Sequence, residues 1–332
     1  MPVDAKTTPR ISVIIPAYNT AHLIAGCLDT VMGQTYQNFE AIVVNDGSPD
    51  TPELEKVLAP YINRIVYIKQ PNKRAAGARN TAIAQARGEF LAFLDSDDSW
   101  FPEHLASQMK LADADPSLDL IYSNAIVIGN PENEWKFMDR CPSNGEATFA
   151  ALIVERCQIP ISTVVVRKTA LVKAGGFDEK LARCDDYDMW VRAAFHGAKI
   201  GYGRTVQARL NAGRPNSLSE ERGKMVEGYW IILEKFSRTL PLTDVDCAIV
   251  DKRAAEIKAN FLVEQGKKQL KASEFRKAAG FFAEANGTLK SPRLSLVLFG
   301  LKFFPGLTRK LAASRNRLMA TPSQPKLGGV RS

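Results

Sequence analysis

Residues 90–100 read FLAFLDSDDSW, an apolar run that delivers three carboxylates, Asp95, Asp97 and Asp98, within four positions of one another. Clustered carboxylates are costly unless a cation or hydrogen-bond donors balance them. Phe90, Leu91, Phe93 and Leu94 therefore ask for burial in a strand, and the acids that follow ask for a partner. Hard divalent ions such as Mg²⁺ or Mn²⁺ take oxygen ligands and usually share their shell with substrate phosphates. Metal-assisted handling of a phosphorylated ligand is one expectation. The competing one is an acidic turn in which Asp97 or Asp98 caps a helix beginning near Pro102.

The segments before this motif set its context. Residues 11–19 (ISVIIPAYN) read as a buried strand ending in a loop, and residues 40–45 (EAIVVN) as a second strand that runs into the turn cluster 46–50 (DGSPD). A third strand is expected at residues 65–68, with helix-length segments at roughly 22–34, 52–61 and 73–87. Strands alternating with helices imply a parallel, doubly wound sheet whose ligands bind beyond the carboxyl ends of the strands. Tyr18, Asp46 and Asp95 all fall at such ends. A Rossmann dehydrogenase is disfavoured, because no GxGxxG follows the first strand.

Three motifs in order, IIPAYN, VVNDGSPD and AGARNTAIAQARGEFLAFLDSDD, resemble the family 2 glycosyltransferases. Residues 175–197 (GGFDEKLARCDDYDMWVRAAFHG) are similar to that family's acceptor-side segment, so the resemblance covers roughly residues 10–220. It implies an α/β chain of GT-A fold, with a doubly wound, mostly parallel sheet. Its implied activity is inverting transfer of a sugar from a nucleotide-diphosphate sugar, with UDP favoured, to a sugar or lipid-linked acceptor. Bacterial cell-surface polysaccharide or glycolipid assembly is the implied setting, and a Mn or Mg cation the implied cofactor. Carried over by motif, Pro16, Ala17, Tyr18, Asn19 and Asp46 would receive the nucleotide base and ribose. Arg79, with Arg74 and Lys73 upstream, would meet the diphosphate; Asp95 would hold ribose or metal, and Asp97 the metal. Asp186 would be the catalytic base.

The residue chemistry suits those roles. A carboxylate at Asp46 can accept the imide N–H of uracil, while Tyr18 offers an apolar ring face with a polar tip. Arg engages phosphate oxygens bidentately and Lys acts as a point charge, although a solvated basic face is the competing reading for Lys73. Asp186 opens an amphipathic helix in which Tyr187, Trp190, Val191 and Ala194 are expected to face the core. Asp185 or Asp188 can instead serve the helix dipole, and Asp98 stays open between support of the metal and a helix cap.

Some positions depart from the family pattern. Asn45 stands where a second acid is usual, and Asp185 where Glu is common. Residues 209–219 (RLNAGRPNSLS) lack the His found in many relatives, so Asn211, Arg214 or Asn216 must serve instead, or the contact is absent. No Gln-rich, Trp-containing motif of processive members is present, so a single transfer is expected. Two other classes compete: a Mg-dependent phosphohydrolase of the haloacid-dehalogenase type, suggested by DSDDS with a later DDYD, and a non-catalytic sugar-nucleotide-binding protein.

Composition bounds the remainder. The 332 residues, 45% hydrophobic, allow one large domain plus an appendage. Five cysteines without CxxC spacing suggest reduced thiols, and the polar N-terminus shows no secretory leader, so a cytoplasmic setting is expected. Residues 221–332 hold 21 Lys/Arg against 10 Asp/Glu, so the basic excess lies there. The expected division is a glycosyltransferase domain at 10–220, with a nucleotide-sugar half to about 100 and an acceptor half after it, then a helical extension at 221–290 and a basic tail at 291–332. Gly266, Ala278, Phe282 and Ala285 have the spacing of a tetratricopeptide-type hairpin. Residues 294–304 (LSLVLFGLKFF) fall short of the ~20 apolar residues of a spanning helix. With their basic flank they suit either an anionic membrane surface or a core-docked helix. No nucleic-acid motif accompanies the basic residues, and residues 321–332 have a disordered composition.

Overall fold

A computed structural model describes residues 8–129, 134–212 and 222–308; the tail expectation for 321–332 and the candidates Arg214 and Asn216 lie outside these. The chain divides into two compact units, Met1–Glu220 and Glu221–Ser332.

In chain order the first unit carries β1 (Ile11–Ala17), α1 (Ile24–Met32), β2 (Phe39–Asp46), α2 (Thr51–Leu58), β3 (Ile65–Gln70), α3 (Arg74–Gln85), β4 (Phe90–Phe93) and β5 (Ser99–Trp100). It continues with α4 (His104–Ala114), β6 (Leu120–Ile128), β7 (Glu134–Lys136), α5 (Phe137–Arg140), α6 (Phe149–Ile153), β8 (Val165–Arg167), α7 (Lys168–Lys173), α8 (Asp185–Phe195) and β9 (Ile200–Asn211). The sheet order is β3-β2-β1-β4-β8-β6-β9-β5, with β7 added beside β6. The first four strands in that order are parallel, and β8 runs antiparallel to both β4 and β6.

Parallel strands joined by helical crossovers are covered on both faces, which is why β1 reads as a near-continuous apolar run. Ile11, Val13, Ile14 and Ile15 are fully buried, as are Ile42, Val43 and Val44 of β2. Registers of Ala17 with Asn45 and of Asp46 with Gln70 bring the strand ends level. Tyr18, Asp46 and Asp95 therefore leave the sheet at one edge, as expected of an α/β doubly wound sheet.

Two local expectations change. The helix after the acidic motif starts at His104, its N-cap position is Glu103, and no side chain caps it, so neither Asp97 nor Asp98 is a helix cap. In α8, Trp190 and Val191 are buried as expected, but Met189 and Ala193 complete the buried face, and Tyr187 and Ala194 are only half-buried.

The second unit is helical: α9 (Arg222–Thr239), α10 (Asp244–Lys271), α11 (Phe275–Leu289) and α12 (Pro292–Phe303). α10 and α11 form a hairpin whose core contains Leu262, Val263, Ala278, Phe282 and Ala285, and Leu301 of α12 joins it. Among the described residues no helix is long and apolar enough to cross a membrane. All five cysteines are free thiols.

Candidate active site

Asp46 closes β2 and is buried, with one carboxylate oxygen accepting from Gln70 Nε2 at 2.6 Å and from the Lys73 backbone N–H at 2.8 Å. Asn45 beside it faces the other way: its Nδ2 donates to Thr51 Oγ1 and Tyr67 OH, and its Oδ1 accepts from the Ser48 backbone N–H. An amide supplies both donor and acceptor, which a carboxylate cannot do at this junction. Gly47 follows with φ +64, and a Cβ there would lie 2.7 Å from the Asn72 backbone nitrogen, so the loop after β2 needs glycine to approach residues 70–73.

The loop after β1 is tied to the loop after β2. The Asn19 backbone N–H donates to Ser48 Oγ at 2.6 Å, and the Ala21 N–H to Asp50 Oδ2 at 2.8 Å. Asn19 itself has φ +53, in the left-handed region that Asn tolerates. Pro16 and Ala17 are still paired with β2, Ala17 is buried, and Tyr18 projects 51% exposed beyond the strand. Lys73 and Arg74 are exposed at the start of α3. A helix N-terminus with two cations is a ready anion site.

The acidic motif is held from behind. Asp98 is buried, with Oδ2 accepting from Ser162 Oγ at 2.6 Å and Oδ1 from the Asn211 backbone N–H at 2.8 Å. Burial pushes its carboxyl up to about 7, and the Asp95 charge adds to this. Asn211 Nδ2 also donates to the Asp97 carbonyl, and Ser162 Oγ accepts from the Asp95 backbone N–H at 3.1 Å. One carboxylate oxygen from each of Asp95, Asp97 and Asp98 can be chosen so that all lie within 4.8 Å of one another. That donor set, all hard oxygen, fits Mg²⁺ or Mn²⁺.

Arg79 joins this motif to the first turn of α8. Its guanidinium donates to Asp95 at 2.7 Å and to Asp185 at 2.6 Å, and its side chain is 5% exposed. It also lies over the Phe177 ring, 5.5 Å from the centroid. Burial opposes its charge, but Asp95 and Asp185 outweigh that and hold the guanidinium above its ordinary value. Phe93, Phe177 and Trp190 pack together beneath it at ring separations of 5.4 to 6.0 Å.

Asp185 and Asp186 occupy the first turn of α8, entered through Cys184 at φ +57. Asp186 accepts the Tyr187 backbone N–H at 2.8 Å. Enclosure raises its carboxyl to about 6; Asp185 adds to the rise and Arg79 opposes it. Asp188, fully buried, pairs with Arg192 at 2.6 Å, and Arg192 in turn donates to the carbonyls of Ala174 and Gly176. Asp188 thus pins α8 to the preceding turn through Arg192. Ser162 and Gln70 lie in no motif, and only their contacts reveal them; Ser48 and Asp50 lie in the DGSPD turn, but their part in tying the two loops is visible only in the structure.

The fold and site compare with known proteins as follows. Residues 12–169 match the family described as Glycosyl transferase family 2. The chain is 35% identical over 182 residues, 54% of its length and 68% of the relative's, to the UDP-Glc:alpha-D-GlcNAc-diphosphoundecaprenol beta-1,3-glucosyltransferase WfgD of Escherichia coli. The chain belongs to glycosyltransferase family 2. Across the first curated relatives of this family the matched stretch spans 31% to 68% of their length. S. aureus TarS, residues 1–349, superposes with TM-score 0.61 at 18% identity, covering 92% of each chain. The mannosyltransferase PcManGT of Pyrobaculum calidifontis, solved with GDP-Man and Mn2+, gives 0.59 at 20% identity over 95% of this chain and 86% of that one. The fold is therefore that of GT-A glycosyltransferases with a helical C-terminal region. A family 2 chain whose acidic motif follows the fourth strand leaves the haloacid-dehalogenase reading without support, since that nucleophile ends the first strand.

Proposed function

We propose that this family 2 protein transfers one sugar, with inversion, from a nucleotide-diphosphate sugar to a hydroxyl of a sugar or lipid-linked acceptor. The carrying observation is the Arg79 clamp, which holds Asp95 of the donor motif and Asp185, the neighbour of Asp186, within hydrogen-bond distance of one guanidinium. Base and ribose would rest on Pro16, Ala17, Tyr18, Asn19 and Asp46, with Gln70 and the Lys73 N–H fixing the Asp46 carboxylate. Arg74 and Lys73 at the start of α3 would face the diphosphate. Asp97 and Asp95 would hold a divalent cation, which when bound neutralises the diphosphate and the departing nucleotide.

Asp186 would take the acceptor proton as its oxygen attacks the anomeric carbon opposite the leaving group. Its raised carboxyl makes it a better proton acceptor than an ordinary aspartate while leaving it ionised at neutral pH. The UDP-Glc donor and the diphosphoundecaprenol-linked acceptor in the name of WfgD favour a UDP-sugar and a lipid-linked acceptor.

A donor panel of UDP-, GDP- and dTDP-sugars, with Mn²⁺ or Mg²⁺, tests this reading through slow hydrolysis, transfer and the anomeric configuration of the product. Asp186→Asn should lower turnover by about two to four orders of magnitude with donor affinity near normal. Asp97→Ala should abolish metal-dependent nucleotide-diphosphate binding. Nucleotide affinity indifferent to EDTA in both wild type and Asp97→Ala, or full activity in Asp186→Asn, would sink the assignment.

A further inference from the structure

We infer that the outer face of α12 is a docking surface for an anionic lipid bilayer. The helix is apolar on two sides. Leu294, Val297, Leu298 and Leu301 pack onto the α10–α11 core. Leu296, Phe299 and Phe303 are exposed at 66, 57 and 53%, and Phe304 and Leu307 just beyond are equally bare. At ~100° per residue, positions 296, 299 and 303 fall within an arc of about 60°, so they form one stripe rather than scattered contacts. The Phe299 and Phe303 rings touch at 4.8 Å, making the stripe continuous. A soluble helix ordinarily turns such a face inward; here the inward face is already supplied by other residues.

Charge selects the occupant. Glu284 is the last acidic residue of the chain, and residues 285–332 carry nine Lys or Arg and no Asp or Glu. Among the described residues of this stretch, Lys290, Arg293 and Lys302 are exposed, and the Lys302 ammonium lies 5.4 Å from the Phe303 ring centre. Aromatic and leucine side chains flanked only by cations match the boundary between headgroups and acyl chains of a negatively charged leaflet. A second copy of this chain would bring a like-charged face against it, which disfavours self-association. The inference is independent of the donor chemistry proposed above.

The test is co-sedimentation of the full chain with phosphatidylcholine vesicles, with and without phosphatidylglycerol. The intact protein should bind the anionic vesicles, bind neutral ones far less, and release as salt rises. The triple substitution Leu296→Glu, Phe299→Glu, Phe303→Glu lies on the solvent side and should keep the helical circular dichroism while weakening vesicle binding at least about tenfold. Arg293→Gln with Lys302→Gln provides a second variant that leaves the apolar packing intact and should weaken binding with a flatter salt dependence. Equal binding by intact and variant chains, no binding by the intact chain, or equal binding to neutral vesicles overturns the inference. So does reversible dimerisation that the triple variant abolishes in the absence of vesicle binding.

Discussion

At the scale of single residues, Arg79 carries the most consequence, because one side chain satisfies two carboxylates that would otherwise face each other across the site. Its motif suggested a diphosphate ligand, whereas the guanidinium is directed to Asp95 and to Asp185, the latter 106 residues further along the chain. No local pattern announces such a partner. Truncating a buried pair typically costs about 3–5 kcal/mol. Because the Asp95 side chain is 32% exposed, water softens the loss, and Arg79→Met should destabilise the first unit by about 2–3 kcal/mol in urea unfolding. Arg79→Lys, a point charge without a fork, should recover only part of it. Wild-type stability in Arg79→Met would remove the clamp from the account. Asn45 makes the same point in reverse: its departure from the usual acid was legible in the sequence, but its partners Thr51, Tyr67 and Ser48 were not.

At the scale of elements, apolar runs located β1, β2 and β4 well because these parallel strands are buried on both faces, and the run is then its own signature, while the strands from β5 onward were not read from the sequence. Helix ends and faces were less legible. α4 starts two residues later than expected, and the buried face of α8 is set by Met189 and Ala193 as much as by Trp190 and Val191. The helical hairpin of the second unit contains a close approach between Gly266 of α10 and Phe282 of α11. A Cβ on Gly266 would lie 2.6 Å from the ring of Phe282, which is fully buried and cannot swing aside. Alanine gains about 1 kcal/mol of helix propensity over glycine, while overpacking costs about 1–3 kcal/mol, so the clash should win. Gly266→Ala should therefore lower the stability of the second unit by about 1 kcal/mol, and less in a Phe282→Leu background. A stabilised Gly266→Ala would show that the helices have room.

At the scale of the whole molecule, enclosure governs the pH response. Asp186 rises to about 6 from an ordinary 3.8 because the assembled chain shuts water away from it, with Asp185 adding and Arg79 opposing. The proposed base would work ionised, so kcat/KM should fall about tenfold per pH unit below about 6. Arg79→Met should move that limb upward and Asp185→Asn downward. Stability runs the other way: the folded value lies above the unfolded one, so the group's contribution is present in full below about 4 and is lost as pH rises through about 6. An activity limb at the ordinary carboxylate value would remove Asp186 as base. The amino-acid sequence by itself determined the four parallel strands β1 to β4, the polar residues waiting at their carboxyl ends and the family to which they belong, because burial pattern and motif order are local properties. Tertiary structure alone decided which of those residues meet. β8 inserts beside β4 from more than seventy positions away, bringing Ser162 onto Asp98, and β9 returns Asn211 to the same loop. Such meetings depend on strand order and chain enclosure, which no periodicity along the chain encodes, and they set the charge, the burial and the proton affinity of the site.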